Sequence, residues 1–459
     1  MTAPATLRPR DPWKNAYWNQ LTAYAGSLLQ GIPGSALPAA GPLILSRPRQ
    51  NLDGRGHNIY DFRHWFGQSG NVSIKDVCGY GAKGDGTTDD LAAINLALAE
   101  IPATGGCIIF PPGNYKVSAA PTFTNKANVT LRGFGPASII TCTDSNSSNK
   151  FFNLASFGRV VLQDLTLSRA IGGHVYIDSS THSIIRDCTF LGGSVADISI
   201  IHGPSQAIIE GCTFINAPTA ISVRGDGSSA SAYLRIHRNR FVSPAIGVDC
   251  QDTAGHTEIL ANLITGVTGT GIIVGASGNT YNSSNFLVQG NVVASTSASA
   301  VGITVETVGT GTCTGVTLKG NVIHTGGSGS TGIEILGVAG YVSSVSVIGN
   351  TISCRVAGST VYGLRTDSFV RGVAVKGNIF WMYGADQSIG VWHQGYGPMA
   401  TVGNAFGITG GTLGPEIQQG SATVIPSVIV GNTFTPSALA VLDNALNTDI
   451  GHNPGEVLW

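Results

Sequence analysis

The sequence predicts an all-β protein wound as a single-stranded parallel β-helix. Two observations carry this. The pattern apolar-x-apolar-x-Gly-Asn-x-apolar recurs as FLVQGNVV (286–293), VTLKGNVI (316–323), VSVIGNTI (345–352), VAVKGNIF (373–380), MATVGNAF (399–406) and VIVGNTF (428–434). A second strand motif lies between these copies: GIIV (271–274), GITV (302–305), GIEI (332–335), GLRT (363–366) and GVWH (390–393), with AISV (220–223) and AIGV (245–248) before them. Both alternate with period two, as strands do. Together they define one coil that repeats down the chain.

The position held by Asn marks each coil. It falls at Cys188, Cys212, Asn239, Asn262, Asn291, Asn321, Asn350, Asn378, Asn404 and Asn432, at spacings of 23 to 30 residues. The Gly-Asn step reads as a tight corner, because both residues tolerate a left-handed backbone. Stacked Asn side chains there are placed to bond the backbones of neighbouring coils. Cys188 and Cys212 hold the same slot in earlier coils, so they read as small buried residues.

Composition agrees. Of 459 residues 63 are Gly, 11% are charged and 42% are apolar. This suits an elongated β architecture with many turns and excludes collagen and disorder. The formal net charge of −1, with no block of like charge, gives no reason to expect nucleic acid or an anionic membrane as partner. No run of 18 apolar residues exists to insert in a membrane. The eight cysteines form no Cys-x-x-Cys pair, and no cofactor motif or compact set of metal ligands is read.

Taken in order, residues 1–50 hold a helix and a linker. Asp11 is a candidate cap, Pro12 suits the first turn, and Trp13, Tyr17, Leu21, Tyr24 and Leu28 make an apolar stripe. Residues 31–49 are rich in Pro and Gly, and 51–71 form a short adaptor. In TTDDLAAINLALAEI (87–101), Thr87 or Thr88 is the expected cap, with Asp89 and Asp90 in the first turn. Leu91, Ile94, Leu98 and Ile101 form the stripe of a lid over the open end of the stack. CIIFPPG is then expected to start the stack, which runs over 72–435. Residues 436–459 are the C-terminal cap, with a helix expected from Pro436.

GYGAKGDGTTDDLAAI followed by GGCIIFPPGNYKV closely resembles the opening motif of the pectate-lyase-like right-handed parallel β-helix superfamily. That superfamily includes bacteriophage tailspikes and enzymes that degrade polysaccharides, so the resemblance is specific for the fold and weak for the reaction. The order of helix, linker and β-helix resembles a tailspike with an N-terminal particle-binding segment. It implies a homotrimer on a virion tail, joined to tail or baseplate proteins through residues 1–50 and binding capsule, O-antigen or another bacterial surface polysaccharide. The N-terminus shows no signal peptide, which fits assembly in a host cytoplasm. The chain stops soon after the last coil, which leaves no room for a large C-terminal trimerisation domain.

The substrate groove of such folds runs along one outer strand column, and here the G-I-x-V column is the candidate. With Ile303 and Val305 inward, Thr304 and Glu306 point outward. The same register exposes Glu334, Arg365, Asp367 and Trp392 in later coils. Adjacent coils are about 4.8 Å apart, so Glu306 and Glu334, offset by two residues, lie roughly 8 Å apart at the backbone. Carboxylates about 6.5–9.5 Å apart suit inverting glycoside hydrolysis. Glu306, Glu334 and Asp367 are the candidate acids, Trp392 a stacking platform, and Arg365 a binder of acidic sugar or a partner of Glu334. An earlier cluster is the alternative, with Asp226, Asp249 and Asp252 as candidate acids and Arg224 as a substrate binder; Arg224 and Asp249 hold matching outward positions, and Asp226, Asp252 and His256 lie in nearby loops. The plain alternative for both is a solvated face with ladder ion pairs. Three readings stay open: a hydrolase needs two acids, a lyase needs a base beside a cation, and a non-catalytic spike needs neither.

Overall fold

The computed structural model describes residues 73–450 except 122–127, 145–149, 156–157, 170, 179–181, 202–205, 226–232, 278–281, 356–359, 384–386, 395–396, 410–416, 420–426, 435–440 and 444–447. The expected N-terminal helix, linker and adaptor therefore lie outside the described residues, as do Asp226 and 451–459. Residues 70–459 form one unit.

That unit is a stack of parallel coils with three sheets. The first sheet has 15 strands, from Ser73–Asp76 to Thr448–Ile450. The second has 12, from Lys150–Ala155 to Val441–Asp443, and the third has 13, from Asp85–Asp89 to Ala405–Thr409. A coil passes from a first-sheet strand through the Gly-Asn corner to the third sheet, then to the second. Each strand pairs in parallel with its counterpart one coil away, as Val316 pairs with Val345 and Ile303 with Ile333.

The corner works differently from expectation in one respect. Only the residue before the Asn is left-handed, with φ from 60° to 67° at Gly290, Gly320, Gly349, Gly377, Gly403 and Gly431. Earlier coils force Asp187, Arg238 and Ala261 into the same conformation at φ 53°, 56° and 52°. The Asn itself is buried. Asn321 Nδ2 donates to Val288 O (2.9 Å) and to Asn350 Oδ1 (2.9 Å), and its backbone N–H donates to the same Asn350 oxygen (2.8 Å). This arrangement repeats from Asn239 to Asn404, and the Asn239 oxygen accepts from Cys212 N below it. Buried polar groups are thus satisfied by the next coil. Cys188 and Cys212 are buried in the same column.

Inward residues also form columns. Phe190, Phe214 and Phe241 stack at 4.8 and 4.9 Å, and Phe380, Phe406 and Phe434 at 4.9 and 5.3 Å. Each buried Phe contributes roughly 1.5–3 kcal/mol.

The lid helix spans Leu91–Ala99, with Ile94 and Leu98 buried, and Ile101 buried just beyond it. Three expectations about this end are corrected. Thr87 and Thr88 lie in the strand Asp85–Asp89 and do not cap the helix. Asp89 accepts from Leu91 N, the first helical residue, and from Ser118 one coil on, while Asp90 accepts from Lys83 N and Gly84 N and so anchors the loop ahead of the helix. The stack also starts before the helix, because Ser73–Asp76 pairs with Gly106–Ile109. At the far end, Val441–Asp443 and Thr448–Ile450 are strands that continue the second and first sheets, within and beyond the expected helix over 435–446. An open sheet edge outweighs the weak helix propensity of an Ala- and Leu-rich run.

Candidate functional site

The outward face of the second sheet carries the candidate site residues Glu306, Glu334, Arg365 and Trp392. Its strands keep the expected parity: Ile303, Val305, Ile333, Ile335 and Leu364 are buried, and the residues between them face out. Two outward rows cross the coils. One runs Ser222, Asp249, Ile273, Thr304, Glu334, Arg365, Trp392. The other runs Arg224, Gln251, Gly275, Glu306, Leu336.

Glu306 and Glu334 therefore sit on adjacent coils offset by two residues, as expected. Both are half-buried, and both carboxyls are held above the usual Glu range. For Glu306 burial is the main cause, opposed by a hydrogen bond from Gln251 and reinforced by the charges of Asp249 and Glu334. For Glu334 burial again leads, opposed by the nearby Arg365 guanidinium.

Arg365 stands 3.7 Å from Glu334 and lies over two aromatic rings, 5.3 Å from the centre of Trp392 and 5.6 Å from that of Tyr362. Those rings stack on each other at 5.3 Å. Cation–π contact holds the guanidinium in place. Its Nε is buried with no hydrogen-bond partner among the described residues. The site thus presents two carboxyls beside an ordered cation on an aromatic platform.

Arg224 and Asp249 of the earlier cluster lie on the same face as Glu306 and Glu334. Gln251 Nε2 donates to Glu306 Oε1 (2.5 Å), and Arg224 grips Asp249 through two hydrogen bonds (2.7 and 2.5 Å). Arg224 and Asp249 do not share a row, however. Cys250 packs inward opposite Val223, so Asp249 aligns with Ser222 and meets Arg224 on the diagonal. Asp249 is only 6% exposed. Gln251 was missed in sequence although it has the outward parity of its strand; the signal was present once the coil is aligned on Cys250.

Asp367 and Asp252 have other work. Asp367 accepts from Gly337 N (2.8 Å) and Phe369 N (3.2 Å), and Asp252 accepts from Ser277 N (2.8 Å) and the Ser277 hydroxyl. Each carboxylate ties down a loop backbone at the end of a strand. His256 lies on the first sheet, bonded to Glu258 (3.0 Å), away from this face. Among the described residues no group of three or more His, Cys, Asp or Glu is placed to hold a metal ion.

A stack of parallel coils with three sheets is a parallel β-helix. The family described as rhamnogalacturonase A/epimerase, pectate lyase-like, matches residues 73–158, and the right-handed β-helix region matches 127–287. The fold is that of the pectate-lyase-like right-handed β-helix superfamily. In solved structures, the tailspike protein of E. coli bacteriophage HK620, a double mutant in complex with pentasaccharide, superposes with a TM-score of 0.56 at 13% identity, covering 82% of this chain and 80% of that one. The bacteriophage CBA120 tailspike protein 3 gives 0.50 at 16% identity, covering 83% of this chain and 61% of that one. The mannuronan C5-epimerase AlgE6 of Azotobacter vinelandii is 36% identical over 107 residues, 21% of this chain. The chain spans only 12% and 14% of the length of the curated relatives it matches.

Proposed function

We propose that the protein binds a bacterial surface polysaccharide along the outer face of the second sheet and cleaves it by inverting glycoside hydrolysis. The observation that carries this is the Glu306–Glu334 pair: two half-buried carboxyls on adjacent coils, both with raised proton affinity. Glu306 faces two other carboxylates, Asp249 and Glu334, while Arg224 beside it is engaged by Asp249. It is the general acid that protonates the leaving oxygen. Glu334 has Arg365 at hand to favour its charged form, and it is the base that activates water. Both carboxyls are raised, and the assignment of roles rests on their neighbours: carboxylates beside Glu306 and a guanidinium beside Glu334. Trp392 and Tyr362 supply a stacking surface for a sugar ring.

The tailspike likeness supports placing the chain on a phage tail as a homotrimer, with residues 1–50 as its attachment segment; these remain part of the proposal. A lyase reading draws on one contact, Glu334 beside Arg365, which is a base next to a cation able to neutralise a uronate. The test is incubation with capsule and lipopolysaccharide panels. New reducing ends without absorbance from unsaturated products support the hydrolase, unsaturated products the lyase, and binding without either product a non-catalytic spike.

A further inference from the structure

The first sheet carries a groove that belongs to none of the chemistry above. Its volume is about 590 Å³, and Arg159, His182, Gln206, Asn128, Ile184 and Ile208 are among the residues lining it. The register explains its form. Arg159, His182 and Gln206 occupy one outward row on three successive coils, and Ile184 and Ile208 lie side by side in the next row. A strip of apolar floor is therefore flanked by a strip of donors, about 4.8 Å apart from coil to coil.

The charge around it is one-sided. Among the described residues no Asp or Glu lines the groove. Three carboxylates on the same side of the coil are engaged elsewhere: Asp164 with Arg132 (3.6 Å), Glu210 with His237 (3.0 Å) and Glu258 with Arg235 (2.6 Å). Arg186 beside the groove is held by Gln163 Oε1 at 3.0 and 2.6 Å. Arg159 and His182 are exposed and, among the described residues, have no carboxylate beside them in the groove. An exposed guanidinium with an imidazole one coil away matches a carboxylate, sulfate or phosphate better than any neutral group. The apolar floor with amides at its margin suits the mixed face of a sugar ring.

We propose that this groove is a second binding site, for an acidic sugar unit of a polysaccharide chain, with Arg159 and His182 holding its anionic group. That the anion is carried on a sugar rests on the polysaccharide reading above; the site is separate from Glu306 and Glu334 and does not depend on their roles.

The test is calorimetric titration of the full chain with trigalacturonic acid, a sulfated heparin tetrasaccharide and neutral maltotriose. Expected is binding of at least one acidic oligosaccharide and not of maltotriose, weakened about tenfold or more by Arg159→Ala and His182→Ala. Glu306→Gln and Glu334→Gln should leave this binding unchanged. Which acidic probe binds tells a carboxylate from a sulfate ligand. Binding of neither acidic probe overturns the proposal. So does binding that survives both substitutions, or that is lost only in the Glu306 and Glu334 variants. Both substituted residues are exposed, so loss of fold, checked by circular dichroism, is not expected to obscure the result. Loss of cleavage in the separate activity assay would bear on the catalytic reading alone.

Discussion

Gln251 and Glu306 are two coils apart, yet their side chains hydrogen-bond at 2.5 Å across Gly275, the residue that lies between them in the row. Gly275 has φ 149°, and a Cβ there would come within 1.8 Å of the Glu306 carbonyl oxygen. The bond from Gln251 is the chief influence that lowers the proton affinity of Glu306. Gln251→Leu should therefore raise the Glu306 pKa further. Carboxyl-carbon NMR titration of the two proteins checks this; an unshifted titration would show that the bond does not form.

Substitution of the candidate acids should separate activity from stability. Glu306→Gln and Glu334→Gln should each slow cleavage by about 10²–10⁴-fold, the usual share of a general acid or base. The Glu306 carboxyl is raised above its ordinary value of 4.5 in the fold. Its contribution to stability is thus full below pH 4.5 and lost as pH rises through the raised value. Glu306→Gln, which cannot ionise, should then melt higher than the parent at pH 7, with the difference closing below that value. Equal melting temperatures at both pH values would contradict the burial assigned to this carboxyl. Asp252→Asn and Asp367→Asn, by contrast, should loosen loops without removing a proton donor.

In the ladder of asparagines, Asn321→Ala strands several buried groups at once. Asn291 N and Nδ2 lose their acceptor, and Val288 O loses its donor. At about 1–3 kcal/mol for each of these three buried unsatisfied groups, the loss should total roughly 3–9 kcal/mol. Thermal unfolding and amide exchange at 288–291 would report it. A change under about 0.5 kcal/mol would mean that the ladder is incidental to stability.

Ala261 should respond in the opposite direction. It holds the left-handed corner position at φ 52° that later coils give to Gly. A left-handed L-residue costs about 1–2 kcal/mol, part of which Gly recovers. Ala261→Gly should stabilise the protein by about 0.5–1 kcal/mol in urea unfolding. Destabilisation would show that the Ala methyl has a packing role.

His174 and Asp197 form an ion-pair geometry at 2.9 Å with both side chains fully buried. His174 Nε2 and Asp197 Oδ2 have no hydrogen-bond partner among the described residues. Burial is the main cause that raises the Asp197 pKa. Breaking a buried pair costs about 3–5 kcal/mol, whereas removing both partners is far milder. Asp197→Ala and His174→Ala should each destabilise strongly, and the double variant should be more stable than the sum of the two losses predicts. Additive losses would show that the pair is not coupled.

What the sequence determined alone is whatever one coil specifies within itself. The period-two alternation of VTLK and GITV sets which side chains face inward, and the Gly-Asn step sets the corner, because both are properties of neighbouring residues. The stacked Asn column and the outward parity of Glu306, Glu334, Arg365 and Trp392 were legible for that reason. What lies between coils was decided by the tertiary structure. The inter-coil register depends on how a loop lets the next strand settle, so Cys250 packing inward moved Asp249 beside Ser222 and brought Gln251 into line with Gly275 and Glu306. Backbone N–H groups at strand ends claimed the carboxylates of Asp252 and Asp367, a competition invisible in side-chain pattern. An available sheet edge turned 441–443 into a strand where local propensity favoured a helix. Local pattern thus chose the face and its residues, while contacts across the stack chose which of those residues meet.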